Sequence, residues 1–492
     1  MPVGRESRPV DTTASATAPT APDRERTDSN AESKYLRGPV SAWNLPVLAA
    51  MSLGMAVSAY ANVDGDIYWH RVLGEHWLDH VSFDLTPDPI AYTPAIRDWF
   101  PTAWLPEILY ASLVRTFGYN GILGLRFVIA AAFYFLMIRY LSAHVPAWLT
   151  ALVLVLVGTP AALVLQDRPQ SLSLVLCAAL LPSVHRWQVE NRAPLVRNAV
   201  ALTWVWANVH GLWVLVPCFL LLVAISDLSS GSPRWRRLVP GTVLCLIVAS
   251  LTPVGPRLLM SPILISSSTS QNSEWQATAL RSPVTWGFAL TMLIVFAGLT
   301  CSTRVPRRHL IASIALMAFG FLAYRNAVVA SVLLVPLTAH YLSKNLTFVR
   351  TSLRLPRAIL IGSAGLSLGW LAHLYSGQSV IPEDAPTRIA EALRIYSEVR
   401  VLAPYNDAGY LREFGGDGVR LAIDGRADRY GAERIREHLA LMDARGPWRR
   451  QFTALDPDVV VVERRSPLRE LLIQDGWAVA VRDRNLVLLT RP

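Results

Sequence analysis

Charge is scarce in this chain, and lysine is nearly missing: 17% of its 492 residues are charged, and Lys34 and Lys344 are the only lysines. Cysteine is scarce as well. Cys177, Cys218, Cys245 and Cys301 stand singly within or beside apolar segments, and no Cys-x-x-Cys spacing occurs, which excludes both a zinc site of the usual kind and a disulfide framework. They read as small buried apolar residues. The chain has no His-Glu-x-x-His motif, which excludes a zinc metalloprotease of that type. It also shows no internal repeat, the mark of many membrane transporters.

Long hydrophobic runs, in contrast, are abundant. Between Leu45 and Gly377 apolar stretches of roughly 15 to 22 residues recur, each of a length that can cross a hydrocarbon core of about 30 Å. Hydrophobic residues make up 52% of the chain, and its net charge of +10 is carried by arginines in short loops between those stretches. That placement speaks for membrane topology and against a nucleic-acid partner. The fold expected is an all-α polytopic membrane bundle of about eleven transmembrane helices, followed by a small C-terminal α/β domain. The spans are read at 43–62, 121–143, 147–165, 170–187, 197–209, 211–228, 238–252, 284–301, 309–323, 326–342 and 357–375.

The first 42 residues are rich in Ser, Thr, Pro, Ala and mixed charge, and read as a disordered tail. Residues 43–377 form the membrane domain, with a first outer loop over 63–120, and 378–492 form the terminal domain. Ser58-Ala59-Tyr60-Ala61 resembles a small-residue cleavage site, so a removed signal peptide is the alternative to a retained first helix. With the tail cytoplasmic, the clustered basic residues fall on one side: Arg139, the group around Arg186, Arg192 and Arg197, Arg234 to Arg237, Arg304 to Arg308, and the stretch from Lys344 to Arg357. The positive-inside rule then makes this a multi-pass plasma-membrane protein with a cytoplasmic N-terminus and an extracytoplasmic C-terminal domain.

That topology gathers the distinctive polar motifs on the outer face. They are Val63-Asp64-Gly65-Asp66-Ile67-Tyr68-Trp69-His70, Gln166-Asp167-Arg168-Pro169-Gln170, Asn208-Val209-His210-Gly211, Asn272-Ser273-Glu274-Trp275-Gln276 and Tyr324-Arg325-Asn326. Ionisable groups at membrane depth are costly and point to function. Asp64 and Asp66 fit a general base for an acceptor hydroxyl, with the second carboxylate orienting a sugar or holding a divalent cation. Both also fit simple capping of the helix that starts near Ile67. Trp69 and His70 offer a stacking surface and a polar group to a sugar ring. Arg168 and Arg325 suit a phosphate head group, with ion pairing to Asp167 or Glu274 as the structural alternative. His210 and Glu274 complete the candidate substrate-binding set.

The pattern Asp64-x-Asp66-x-x-Trp69-His70-x-x-x-Gly74, then Asp88-Pro89-x-x-x-Thr93, Trp99, Trp104-Leu105, Arg168-Pro169, Trp206-x-Asn208-x-His210-Gly211, Glu274-Trp275-Gln276 and Arg325-Asn326, resembles a bacterial group of the GT-C superfamily. These are membrane glycosyltransferases using polyprenyl-phosphate sugars. The resemblance covers nearly the whole chain beyond residue 45. It implies an aspartate of the first outer loop as catalytic base, hence Asp64 or Asp66, and outer-face arginines on the donor phosphate. It also implies an inverting transfer to an envelope glycan, lipid or protein, with membrane lipid around the bundle and no certain cofactor. Asp-Gly-Asp stands where the mannosyltransferases of the superfamily carry Asp-Glu, which leaves open which carboxylate acts. The reading from a different class is a non-catalytic protein, a lipid-linked sugar transporter or an envelope-assembly scaffold.

In the tail, strands are predicted at Val401–Leu411, Val419–Ile423, Asp458–Val462, Trp477–Val481 and Leu486–Leu489, with helices at Ala432–Arg445 and Pro467–Asp475. Asp424-Gly425-Arg426 reads as a turn with a structural ion pair. The tail is expected to cover the cleft or to hold the acceptor.

Overall fold

The computed structural model describes residues 44–60, 64–82, 84–96, 99–266, 276–346 and 357–492. The N-terminal tail, Val63 and Glu274 therefore lie outside the described residues.

A helix occupies each position where a span was predicted. In chain order the first elements are α1 (Leu45–Ala59), α2 (Asp66–His80), α3 (Trp104–Phe117), α4 (Asn120–Ser142), α5 (Ala147–Ala162), α6 (Pro169–Gln188), α7 (Val196–Ala207) and α8 (Leu215–Ser229). They are followed by α9 (Trp235–Ala249), α10 (Pro283–Thr300), α11 (Arg307–Leu322), α12 (Tyr324–Asn345) and α13 (Arg357–Ser376). Among the described residues four helical segments are long and apolar enough to cross a membrane: α4, Gly211–Ser229, α10 and α12. The expected count of about eleven is not reached on that measure, because α7 has 12 residues, α9 has 15 and α11 has 16. At about 1.5 Å per residue, those three are short for a complete crossing.

The helix starts follow local chemistry. Asn44 caps α1 by accepting the Val47 N–H at 3.3 Å, and Ser282 caps α10. Pro169 and Pro283 open α6 and α10 at a position where a missing N–H costs no helical bond. α12 is the central helix. Every residue from Asn326 to Ala339 is buried, which explains why that stretch is apolar all round rather than on one stripe. α1 belongs to the same core through Val47, Leu48 and Met55, and Ser58 hydrogen-bonds the Tyr375 hydroxyl of α13. The first helix is thus part of the bundle's packing.

The basic loops meet at one end. Arg234 donates to the Asn191 carbonyl, Arg308 to the Gln188 carbonyl at 2.9 Å, and Arg307 to the Ser229 carbonyl at 3.4 Å. Asp167 and Arg168 stand at the other end of α6 and Asn208 at the other end of α7, and Asp64 is ion-paired with Arg168 there.

The C-terminal segment continues with α14 (Thr387–Leu393), β1 (Val399–Leu402), α15 (Ala408–Gly415), β2 (Val419–Leu421), α16 (Ala427–Met442) and α17 (Trp448–Leu455). It ends with β3 (Val459–Glu463), α18 (Pro467–Gln474), β4 (Ala478–Asp483) and β5 (Leu486–Thr490). The sheet order is β2-β1-β3-β5-β4, with β1 parallel to both β2 and β3, and β5 antiparallel to β3 and β4. Period-two alternation decides the two faces. Val459 and Val461, with Leu486 and Leu488, pack toward α2, whereas Val460, Val462, Val487 and Leu489 pack under α17 and α18.

The predicted strand at Val401–Leu411 is corrected. β1 ends at Leu402, and Ala408–Gly415 is helical. Pro404 cannot donate to a sheet ladder, the chain turns through Asn406-Asp407, and Ala408 and Leu411 then bury at helical spacing. α17 was not predicted. Its apolar residues Trp448, Phe452 and Leu455 recur at helical spacing within only eight residues.

The first outer loop and the terminal segment fold as one body. Tyr92 N–H donates to the Leu421 carbonyl at 3.1 Å and Leu421 N–H to the Ile90 carbonyl at 2.8 Å, so the loop adds a bridge to the β2 edge. Beneath it, Arg426 makes two 2.9 Å bonds to Asp88 and bonds of 2.8 and 2.6 Å to Asp424, while Arg429 holds Asp88 at 3.0 Å. Burial raises the Asp88 carboxyl, but Arg426 and Arg429 outweigh it and hold Asp88 well below the usual carboxylate range. The Asp424-Gly425-Arg426 turn is therefore an ion-paired hub. Replacing Arg426 with Met should cost about 3–5 kcal/mol, because buried Asp424 loses its arginine and Asp88 loses one of its two. Denaturant unfolding of the purified protein checks the loss, and limited proteolysis should show cleavage within 84–96 first.

Candidate active site

The acidic element lies at the start of α2. Gly65 is the N-cap residue, and the Asp64 side chain accepts the Asp66 N–H at 3.0 Å. Capping therefore accounts for one oxygen of Asp64. Its other oxygen is ion-paired with Arg168 Nε. Arg168 Nη2 also stands 3.4 Å from Asp66 Oδ2, so one guanidinium spans both carboxylates. Arg168 takes this position because it precedes Pro169 in extended backbone, and Arg126 secures the residue before it by bonding both oxygens of buried Asp167.

Asp66 and Asp64 differ in environment. The Asp64 side chain is 8% exposed and that of Asp66 is 31% exposed. Three residues along the helix, Trp69 returns its indole N–H to Asp66 Oδ1 at 2.9 Å, a pairing allowed by i, i+3 geometry. Burial raises the Asp66 carboxyl above the ordinary value, and the Asp64 charge adds to this against the opposing charge of Arg168.

These residues line a cavity of about 970 Å³, whose opposite wall comes from the terminal segment. Asn406, Asp407 and Gly409 stand over Gly65, and Gly425 lies directly above Asp66 and Trp69. On the same wall, Ile435, Leu439 and Met442 of α16 give an apolar surface, with Glu463 at the end of β3 and Arg465 after it. Asp407 carries no individual signal in the sequence beyond its place in a turn. Burial and the like charges of Asp384 and Glu463 push its carboxyl up to about 6.

Of the eight predicted site residues, four line this cavity: Asp64, Asp66, Trp69 and Arg168. His70 does not. It lies behind Trp69, with ring centroids 3.5 Å apart, and its Nδ1 is 3.1 Å from Glu107 Oε1. His210 caps the turn at Gly211–Val214, accepting the Leu212 N–H at 3.3 Å, and shares a 3.1 Å hydrogen bond with Ser173. Burial, with Arg325 and Arg168 nearby, pushes His210 down to about 3, which leaves it neutral. Arg325 opens α12 nearby but outside the cavity lining. Glu274 lies outside the described residues.

Among the described residues the donor set for a divalent cation falls short. Asp64 and Asp66 both face Arg168, which already supplies a positive charge there, and among the described residues no group of three or more His, Cys, Asp or Glu side chains converges.

No protein-family model matches the chain, and no curated protein matches it. Among solved structures, the crystal structure of the oligosaccharyltransferase of Archaeoglobus fulgidus in its apo form is similar at a TM-score of 0.48 and 12% identity, over 85% of this chain and 69% of that one.

The closeness of the lid to the acid is testable. A Cβ on Gly425 would fall 2.5 Å from Asp66 Oδ1 and 2.6 Å from Trp69 Nε1. Gly425→Ala should therefore displace the Trp69–Asp66 hydrogen bond and lower stability by about 1–3 kcal/mol, the usual cost of overpacking. Thermal unfolding reads the loss, and Gly425→Ser should behave at least as badly.

Proposed function

We propose that this chain is an inverting membrane glycosyltransferase that moves a sugar from a polyprenyl-phosphate donor to a glycan, lipid or protein acceptor at the extracytoplasmic face. The observation that carries the reading is the half-open Asp66, set beside an arginine at one end of the bundle and roofed by the terminal segment.

Asp66 is the base. Asp64 is occupied by Arg168 and by the helix N-terminus, whereas Asp66 keeps acceptor capacity toward the cavity and carries a raised carboxyl suited to taking a proton. Asp66 accepts the proton of the acceptor hydroxyl as its oxygen bonds to the anomeric carbon. The bond from that carbon to the donor phosphate oxygen breaks, and its electron pair leaves with the polyprenyl phosphate. Arg168 stabilises that departing charge through the guanidinium fork. Arg325, at the start of α12 and outside the cavity lining, adds positive potential toward the donor head group, and Trp69 offers the sugar an aromatic edge. Asp407, Glu463 and the apolar face of α16 receive the acceptor, a role for the terminal segment that fits its position as the far wall.

The basic loops meet at the opposite end of the bundle, which supports an orientation with the N-terminus cytoplasmic and the cavity outside. Mass spectrometry of co-purifying lipids should detect a polyprenyl-phosphate sugar and thereby identify the donor.

With that donor, Asp66→Asn should lower transfer by about 10²- to 10⁴-fold at unchanged folding. Full transfer by this variant would refute the base, and a wild-type chain that binds the lipid without transferring would favour a carrier or scaffold. The pH profile adds a signed test. Protonation of Asp66 removes the base, so the acid limb of kcat/KM lies above that of an ordinary aspartate. Arg168→Gln removes a cation that favours the carboxylate, and so should move the limb to still higher pH while raising the donor KM.

A further inference from the structure

We infer that Glu107, forty-one residues beyond Asp66 and outside the cavity, is a positioning residue that fixes the Asp66 carboxylate through His70 and Trp69. The inference rests on Asp66 acting as the base, and adds the device that holds it.

Glu107 lies in the first turn of α3 and is 1% exposed. A carboxylate so buried is costly unless its oxygens are filled. Each oxygen has a partner on α2: Oε1 meets His70 Nδ1 at 3.1 Å, and Oε2 accepts the Trp77 indole N–H at 2.8 Å. One side chain thus holds two rings seven residues apart on the same helix, which sets the rotation of α2 about its axis. The crossing is fixed at the same level, because a Cβ on Gly74 would stand 1.9 Å from the Glu107 carbonyl oxygen. A glycine is required there for the two backbones to touch.

From His70 the contact continues outward. Its ring lies over the Trp69 indole, and the Trp69 N–H ends the series on Asp66 Oδ1. Trp69 cannot swing away from Asp66 while His70 covers its face, and His70 cannot turn while Glu107 holds Nδ1. The lone pairs of Asp66 left for an acceptor hydroxyl are those that Trp69 does not use. Loss of Glu107 should therefore release Trp69, leave Asp66 in several rotamers and reduce kcat rather than donor binding.

The test uses the full-length protein in lipid nanodiscs, labelled with 5-fluorotryptophan, with the Trp69 fluorine signal assigned by its disappearance in Trp69→Phe. In the wild type that signal should shift with pH as Asp66 titrates, and Asp66→Asn should abolish the shift. In Glu107→Gln, which keeps the size and loses the charge, the Asp66-dependent shift should vanish or the line should split, while the signals of tryptophans other than Trp77, which Glu107 contacts directly, stay unchanged and show that the protein is folded. Transfer should fall about ten- to a hundredfold in kcat, the scale known for outer-shell partners at metal sites, with the donor KM within about twofold.

Persistence of the Asp66-dependent Trp69 shift in Glu107→Gln overturns the proposal. If that variant fails to fold, His70→Asn breaks the same series one link farther on. Loss of the shift there supports the positioning role, and its retention overturns it. The fluorine measurement needs no substrate, so it decides the role of Glu107 even where the wild type shows no transfer.

Discussion

The structure turns on the ion-paired hub where Arg426 meets Asp88 and Asp424. These residues come from two stretches of chain 336 and 338 positions apart, and their bonding joins the first outer loop to the terminal sheet. Without that join the outer loop would be a long connection with two amphipathic helices, and the terminal sheet would end in an open β2 edge. With it, Ala91 caps that edge, and Gly425 stands over Asp66. Further pairs reinforce the seam: Glu413 of α15 accepts from Arg71 and from the Tyr119 hydroxyl, each at 2.6 Å, and the Tyr68 hydroxyl donates to the Val380 carbonyl at 2.7 Å. The cavity exists because two segments far apart in sequence share one apolar core, with Ile67, Tyr68 and Trp77 packed against Ile389, Val401 and Leu421.

The membrane part supplies the other requirement, a fixed cation. Arg168 lies at a helix start, in extended backbone before a proline, next to an aspartate locked by Arg126 on α4. Arg126 also reaches the Ala59 carbonyl at the end of α1, so three helices define where Arg168 can point. In the proposed transfer, an arginine held in this way would meet the donor phosphate with its backbone already ordered, and such preorganisation lowers the cost of stabilising developing charge.

Much of this was legible from sequence, and the limits have physical causes. Hydropathy located every bundle helix within a few residues, because burial in an apolar medium dictates composition directly. Asp64, Asp66, Trp69 and Arg168 were legible because polar residues stand out against such a background. Glu107 and Asp407 were not, since their importance lies in partners set by tertiary contact: Glu107 looks like a first-turn acid on an interfacial helix, and Asp407 like a turn residue. His70 was read as a substrate contact because adjacency to Trp69 cannot show which side of the ring faces the cavity. The strand expected through Leu411 failed at Pro404, whose effect on a ladder was visible in the sequence but was outweighed by the alternating pattern around it. The pairing of Asp88 with Arg426 had no local signal, because only sheet register brings Ile90 to Leu421.

Two carboxylate clusters at this seam look alike in composition and differ in what they leave unfilled. In the hub, Asp88 Oδ1 accepts from Arg426 and from the Ile90 and Ala91 N–H groups, and Oδ2 accepts from Arg426 and Arg429. Asp424 is equally engaged, by Arg426 and by the Tyr430 hydroxyl at 2.6 Å. A carboxylate has about four acceptor sites, and these are used, so the hub can hold the fold but has little to give a ligand. Asp66 takes one indole bond and one long contact of 3.4 Å, with the remainder of its capacity turned to the cavity. Burial and charge are common to both clusters. Unspent acceptor capacity separates Asp66 from Asp88 and Asp424, and it is why the proposed transfer takes Asp66 as its base.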